Sequence, residues 1–121
     1  MAKIMVTDDV GFIRGMLKEI MEEAGHEVVE ACSGEEMLDL YEQDHPDIVF
    51  LDIFMSDNGM DTLTRMMKKH PEAKIVICSA IGGMEYVAEE AVQKGAVTCI
   101  RKPFRVDSVL EAIQLCLERD A

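Results

Sequence analysis

Short apolar runs alternate with amphipathic segments along the whole chain. Five runs rich in β-branched residues predict strands at 3–7, 27–31, 47–51, 74–78 and 97–101. Between and after them, apolar residues recur three and four positions apart, as Ile13, Leu17 and Ile20 do, which predicts amphipathic helices. Gly25 and Gly95 lie where the first and fourth helices should end. This alternation is typical of an α/β domain with a parallel sheet.

The strands differ in polarity, and the difference predicts their order in the sheet. The first, third and fourth strands are almost entirely apolar, as strands covered on both faces are. The second and fifth carry Glu27, Glu30 and Arg101, which favours positions at the sheet edges. The order 2-1-3-4-5 satisfies both conditions and describes a single-domain, doubly wound, flavodoxin-like (βα)5 sheet. Ligands of such sheets bind beyond the carboxyl ends of the strands, near the switch point between strands one and three.

Carboxylates, a hydroxyl and an ammonium group follow the strands at this edge. Asp8 and Asp9 come after the first strand, Asp52 after the third, Ser79 after the fourth and Lys102 after the fifth. Each has an ordinary interpretation by itself, since an aspartate before a helix is a common N-cap. Their convergence on one edge favours a functional site.

The charge of this predicted cluster indicates a cation site. Two carboxylates about 4 Å apart repel each other by roughly 4 kcal/mol at an effective dielectric constant of about 20. An oxygen-rich site without His or Cys suits Mg²⁺, which binds through carboxylates together with water and phosphate. A carboxylate nucleophile can become an aspartyl phosphate. Mg²⁺, Lys102 and the Ser79 hydroxyl would then stabilise the transferring phosphoryl group.

Composition narrows the classes of function. The 121 residues suffice for one domain, and 12 Lys and Arg against 24 Asp and Glu leave a net charge of -12. That charge disfavours nonspecific binding to nucleic acid or anionic lipid. The chain has no apolar stretch approaching about 18 residues and no signal-peptide pattern at its N-terminus. We therefore expect a cytoplasmic protein without direct nucleic-acid binding or membrane insertion.

The strand-end motifs resemble those of the receiver domains of two-component response regulators, most closely the stand-alone chemotaxis regulators of that family. The motifs are TDD at 7–9, DIVFLDIFM at 47–55, KIVICSA at 74–80 and GAVTCIRKPF at 95–104. The resemblance implies that residues 1–121 form one receiver domain, a phosphoacceptor switch rather than an enzyme, which catalyses only its own phosphorylation and slow dephosphorylation. It implies a histidine kinase, a downstream output protein and a phosphatase as partners.

The resemblance also implies how the acidic cluster works. Asp52 would accept the phosphoryl group from the kinase. Asp9 and Asp52 would ligate Mg²⁺ directly, joined by the backbone carbonyl of Phe54, while Asp8 would act through a metal-bound water.

Further roles implied by the resemblance concern Ser79 and Lys102. Ser79 would hydrogen-bond a phosphoryl oxygen, Lys102 would pair with the phosphoryl group, and the Lys102–Pro103 peptide bond would be cis. The face formed by the fourth helix, fifth strand and fifth helix would change on phosphorylation and bind the output protein.

The chain departs from the family pattern at three places. The loop at 55–59 lacks the usual proline and is shorter, and Cys99 replaces an aromatic residue three positions before the lysine. Phe54 and Ile81 occupy positions that influence acyl-phosphate hydrolysis in the family, and neither side chain can hydrogen-bond a water. This predicts slow self-dephosphorylation.

Four alternatives stay open at this stage. The chain could be the receiver fragment of a larger regulator with a separate output domain, although an end directly after the fifth helix favours a stand-alone module. A small Mg²⁺-dependent phosphatase with an aspartyl nucleophile would want a DxD arrangement, whereas Asp8 and Asp9 are adjacent. A flavodoxin-like electron carrier needs donors for a flavin phosphate, which two aspartates would repel. A degenerate receiver would lack phosphorylation residues, all of which are present here. Chemotaxis as the pathway is favoured by analogy alone.

Overall fold

A computed structural model describes residues 1–55, 58–79 and 84–119 of the chain. Strands and helices alternate strictly along it. The elements are β1 (Lys3–Thr7), α1 (Gly11–Glu23), β2 (Glu27–Ala31), α2 (Gly34–Asp44), β3 (Ile48–Asp52), α3 (Gly59–Lys69), β4 (Ile75–Ser79), α4 (Met84–Gln93), β5 (Thr98–Arg101) and α5 (Val106–Glu118).

The five strands form one parallel sheet in the order β2-β1-β3-β4-β5, which confirms the order predicted from strand polarity. The central strands β3 and β4 are buried along their whole length, whereas β2 exposes Glu27 and Glu30 and β5 exposes Arg101. Charged side chains on the edge strands reach water without crossing a helix layer. The polarity of a strand therefore predicts whether it lies at the edge or in the centre of the sheet.

Two helix layers bury the two faces of the sheet. Met5, Leu51 and Met66 belong to the core on the α2, α3 and α4 side. Val6 and Phe50 belong to the opposite core, together with residues of α1 and α5. Successive residues of a strand point to opposite faces, so the apolar run of β1 supplies both cores.

The strand ends differ from the prediction by one residue at β3 and β4. Asp52 and Ser79 are the last residues of these strands, whereas the sequence pattern placed them just after. Asp52 pairs in register with Cys78, and Ser79 pairs with Arg101. Because the sheet's backbone ladder extends through both residues, their side chains are held by the sheet instead of by loops.

Glycines act at helix ends where the backbone requires them. Gly25 and Gly95 follow α1 and α4 with φ of 92° and 119°, as predicted. A side chain is strained in that left-handed region, so glycine is favoured there. None of the helices in the described ranges combines the length and apolar character that crossing a membrane requires.

Candidate functional site

Three acidic side chains meet at the carboxyl edge of the sheet, as the sequence predicted. One carboxylate oxygen from each of Asp8, Asp9 and Asp52 lies within 4.8 Å of the others, an arrangement that could hold a metal ion. Asp8 and Asp52 are buried, whereas Asp9 is exposed. The cluster therefore has two acids fixed in the protein interior and one facing solvent.

Lys102 brings a positive charge into this cluster. Its Nζ lies 3.0 Å from Asp8 Oδ2 and 3.3 Å from Asp52 Oδ2. The backbone N–H of Lys102 donates to the Ser79 carbonyl at 2.8 Å, which places the start of the side chain at the end of β4. The Lys102–Pro103 peptide bond is cis, as expected.

The electrostatic balance of the cluster is negative. Burial raises the pKa of Asp52 and the nearby Asp8 carboxylate raises it further, against the opposing effects of the Phe54 N–H and Lys102. Burial alone would lower the pKa of Lys102, but the hydrogen bond to Asp8 and the charges of both aspartates raise it overall. One ammonium group thus faces three carboxylates, and a bound divalent cation would relieve the remaining repulsion.

Asp8 does not cap the helix that follows it. Helix α1 begins at Gly11 with Val10 in the N-cap position, and Asp8 Oδ1 instead accepts a hydrogen bond from the Val10 N–H at 2.9 Å. The Asp8 N–H donates to the Ala31 carbonyl at 3.1 Å. The ordinary N-cap interpretation is therefore wrong for Asp8, whose carboxylate belongs to the acidic cluster.

Phe54 lies directly beside Asp52. Its N–H donates to Asp52 Oδ1 at 3.1 Å, and its side chain is 60% exposed. The participation of its carbonyl in metal binding stays a prediction. The predicted shortening of the 55–59 loop falls partly on residues 56 and 57, and the predicted role of Ile81 falls on residue 81; all three lie outside the described residues.

Ser79 is fully buried at the end of β4, and its hydroxyl contacts Cys99 of β5. The Ser79 Oγ to Cys99 Sγ distance is 3.7 Å. Burial raises the pKa of the Cys99 thiol, against the lowering effects of the Ser79 hydroxyl and Arg101. The sequence identified Cys99 only as a missing aromatic residue, because spacing within one strand does not show which side chain of the neighbouring strand it meets.

Sequence reasoning missed Arg14 altogether. Its Nη1 donates to the backbone carbonyl of Asp8 at 2.7 Å, and its Nε donates to Glu30 Oε1 at 3.0 Å. One signal could have found it, namely a cation near the start of a helix, where the helix dipole disfavours positive charge.

A doubly wound sheet that gathers buried carboxylates, a lysine and a hydroxyl at its carboxyl edge is the architecture of a two-component phosphoacceptor. The model of the response regulator receiver domain matches residues 4–114, and the chain belongs to that family. Receiver domains are signalling phosphoacceptors that bind Mg²⁺ at an acidic pocket and interact with histidine kinases and output partners.

Individual relatives cover nearly the whole chain. It is 43% identical over 113 residues to the chemotaxis protein CheY of Thermotoga maritima, covering 92% of this chain and 93% of that protein. It is 30% identical over 113 residues to the sporulation initiation phosphotransferase F of Bacillus subtilis, covering 93% and 90%. The crystal structure of the receiver domain of NtrX from Brucella abortus superimposes with a TM-score of 0.90 at 33% identity, covering 95% and 98%. These relationships do not favour the aspartyl-nucleophile phosphatase.

Proposed function

We propose that residues 1–121 form a receiver domain that accepts a phosphoryl group on the carboxylate of Asp52. One observation carries the assignment: Asp52 is a buried acid with a raised pKa, 3.3 Å from the Lys102 ammonium, inside a three-carboxylate cluster. In the proposed reaction an Asp52 oxygen attacks phosphorus as the P–N bond of a kinase phosphohistidine breaks. An acyl phosphate forms, and the kinase histidine keeps the electron pair of the broken bond.

The surroundings of the other two acids favour Asp52 as the nucleophile. Asp8 and Asp52 each have one oxygen on a backbone N–H and the other beside Lys102, but the Lys102 Nζ lies closer to Asp8, at 3.0 Å, than to Asp52, at 3.3 Å. Asp9 is exposed and lies at the solvent side of the cluster. Asp52 is the last residue of a central strand, so its backbone is fixed by the sheet while its carboxylate faces the site.

The all-oxygen donor set of the cluster fits Mg²⁺. We assign Asp9, Asp52 and the Phe54 carbonyl as direct ligands, with Asp8 acting through a bound water. When bound, Mg²⁺ neutralises the nucleophile and the incoming phosphoryl oxygens. Lys102 supplies a second positive charge by exchanging its contact with Asp8 and Asp52 for one with the phosphoryl group.

The change of state is proposed to reach the output surface through Ser79. Its hydroxyl contacts Cys99 of β5 before phosphorylation, and a new hydrogen bond to a phosphoryl oxygen would alter that contact. The proposed output surface is formed by α4, β5 and α5. A groove of about 400 Å³ on this surface lies between β5 and α5, lined by Arg101, Arg105 and Leu115 among others.

We propose a cytoplasmic signalling protein whose partners are a histidine kinase, an output protein and a phosphatase, with chemotaxis as the pathway. The CheY relatives at 43% identity support this pathway. Direct binding to nucleic acid is not proposed, since a net charge of -12 disfavours it.

Intact-mass analysis after incubation with a small phosphodonor and Mg²⁺ tests the central claim. We expect one phosphate adduct, which is absent in the presence of EDTA and absent in Asp52→Asn. Asp39→Asn is the matched control, because it neutralises an exposed aspartate on α2 away from the site. An adduct that survives in Asp52→Asn contradicts the assignment of the phosphoacceptor, and no adduct with any donor favours a degenerate receiver.

The output partner is approached by affinity capture on protein activated with beryllofluoride, an analogue of the phosphoryl group. A partner of the phosphorylated state is retained on activated protein and lost on Asp52→Asn treated identically. Equal retention on both would show that the captured protein does not read the switch.

A further inference from the structure

Arg14 connects three structural elements at the acidic edge of the sheet. It lies in the first part of α1, donates through Nη1 to the Asp8 carbonyl that follows β1, and donates through Nε to Glu30 of β2. The guanidinium side chain is only 20% exposed. A planar group with donors in a fixed fork can hold two acceptors in a defined relative position, which a lysine cannot do.

The accepting carbonyl occupies a particular place in the chain. It belongs to the peptide group that joins Asp8 to Asp9, so the orientation of this peptide determines the position of Asp9 relative to Asp8. The Asp8 amide is fixed from the other side by the Ala31 carbonyl at 3.1 Å. Arg14 thus completes the attachment of Asp8 to the edge strand β2.

The position of Arg14 is electrostatically unfavourable for α1 itself. A positive charge near the start of a helix opposes the helix dipole, and α1 has neither an acidic residue in its first turn nor a side-chain cap among the described residues. The contacts with Asp8 and Glu30 offset that cost.

We propose that Arg14 is a positioning residue for the metal site, holding the Asp8–Asp9 peptide so that both carboxylates converge with Asp52. This inference rests on the metal site proposed above. Arg14 touches neither the metal nor the phosphoryl group in the proposed mechanism, and it acts through the backbone of Asp8.

Replacement of Arg14 by Met separates this role from simple electrostatics, because the two predict opposite signs. Removing a positive charge beside an acidic cluster should by itself tighten cation binding. If the arginine positions the acids, Arg14→Met should instead weaken Mg²⁺ binding by about tenfold, the scale typical of lost outer-shell partners. The measurement is isothermal titration of the folded protein with Mg²⁺ alone.

Lys18→Met is the matched control. Lys18 is on the same helix and its Nζ lies 3.9 Å from the same Glu30, so this change removes an equal charge and leaves the Asp8 carbonyl contact in place. We expect its Mg²⁺ affinity to equal or slightly exceed that of the wild type. An Arg14→Met protein that binds Mg²⁺ as tightly as Lys18→Met overturns the proposal.

The dependence of phosphorylation rate on Mg²⁺ concentration supplies an independent readout. Arg14→Met should need more Mg²⁺ for half-maximal rate and approach the wild-type rate at saturation, whereas a general loss of folded protein would lower the rate at every concentration. If Arg14→Met does not fold, Arg14→Lys retains the charge and should weaken Mg²⁺ binding to a smaller extent; unchanged affinity there overturns the proposal. A wild-type protein that binds no Mg²⁺ overturns the proposed metal site and this inference together.

Discussion

The three acids at the carboxyl edge of the sheet show that environment decides the role of a residue. Asp8 and Asp52 are buried to a similar degree, at 1% and 3% exposure, and each contacts a backbone N–H and Lys102, but Lys102 lies closer to Asp8, at 3.0 Å against 3.3 Å. Asp9 is exposed. The same residue type therefore has three proposed roles within a few ångströms, as a structural anchor, as the nucleophile and as a solvent-facing metal ligand.

Thr7→Val should stabilise the protein. Thr7 is 2% exposed at the end of β1, and its Oγ1 has no hydrogen-bond partner among the described residues. Valine has nearly the same shape and removes the buried hydroxyl, so we expect the free energy of unfolding in urea to rise by about 1 kcal/mol.

Thr62→Val is the control for this prediction. Thr62 is also buried, at 3% exposure, but its Oγ1 donates to the Asn58 carbonyl at 3.2 Å. Valine there loses a hydrogen bond and should not stabilise. A drop in stability for Thr7→Val would show that its hydroxyl has a partner after all.

Phe54→Asn should shorten the lifetime of the acyl phosphate. The Phe54 side chain is largely exposed and its N–H donates to Asp52 Oδ1, so the residue lies beside the proposed phosphoacceptor. An amide can orient an attacking water, which a phenyl ring cannot do. The loss of the phosphate adduct after removal of the donor, followed by intact mass, measures the lifetime.

Phe12→Asn replaces another exposed phenylalanine, 76% exposed on α1, and should leave the lifetime unchanged. Ile81→Glu is the companion variant of Phe54→Asn, at a position outside the described residues. Unchanged half-lives in both Phe54→Asn and Ile81→Glu would refute the slow-hydrolysis prediction.

At the scale of elements, the start of α3 is pressed against the end of β3. The Gly59 N–H donates to the Ile53 carbonyl at 3.2 Å, and Asn58 caps the helix by accepting from the Met60 and Asp61 N–H groups. A Cβ on Gly59 would lie 2.6 Å from Ile53 Cα and 2.7 Å from the Asp52 carbonyl oxygen. The absent side chain lets the start of α3 pack directly against the end of the strand that carries Asp52.

Gly59→Ala should therefore destabilise the protein and slow phosphorylation. The added methyl group meets backbone atoms that cannot rotate away, and overpacking of this kind costs about 1–3 kcal/mol. Because the displaced backbone includes Asp52 and Ile53, the rate of adduct formation should fall as well.

Gly15→Ala is the matched control in α1, where an added Cβ would meet nothing within 4 Å. Alanine is the better helix former by about 0.5–1 kcal/mol, so this variant should be more stable with an unchanged phosphorylation rate. Equal behaviour of the two variants in urea unfolding would contradict the crowding at Gly59.

For the whole molecule, the acidic residues behind the net charge of -12 fall into two groups, those on the surface and those in the cluster at the sheet edge. Most of the 24 acidic residues lie outside the site, where exposed pairs such as Arg65 with Glu35 contribute little to stability. Asp8, Asp9 and Asp52 form a cluster whose mutual repulsion opposes folding in the absence of a cation. The acidic residues thus comprise a solvated surface and the cluster that is proposed to bind a cation.

Asp52→Asn should raise the melting temperature of the metal-free protein near neutral pH. Since burial raises the pKa of Asp52 in the folded state, the unfolded chain releases this proton first as pH increases. Stability from this group is complete below the ordinary carboxyl range and is lost as pH rises through the folded-state value. The advantage of Asp52→Asn should therefore disappear at acidic pH.

Saturating Mg²⁺ should reverse the order of the two melting temperatures, so that wild-type protein melts above Asp52→Asn. Binding only to the folded state stabilises it in proportion to the logarithm of ligand concentration, so wild-type protein should gain more than Asp52→Asn. Melting curves with and without Mg²⁺, from neutral to acidic pH, make the comparison. If Mg²⁺ does not change the melting temperature of the wild-type protein, the three acids do not form a cation site, and the excess of acidic residues is a property of the surface alone.

The sequence by itself determined the alternation of strands and helices, the strand order, and the edge at which the acids, Ser79 and Lys102 meet. These features follow from periodicity and from the polarity of individual strands, which are local properties. The tertiary structure decided the partners: Lys102 with Asp8, 94 residues away, Cys99 with Ser79, and Arg14 with the Asp8 carbonyl. It also decided that Asp8 forms a turn instead of a helix cap and that Gly59 has no room for a side chain. Such contacts depend on the distances between elements once they are packed, which no pattern along a single element contains.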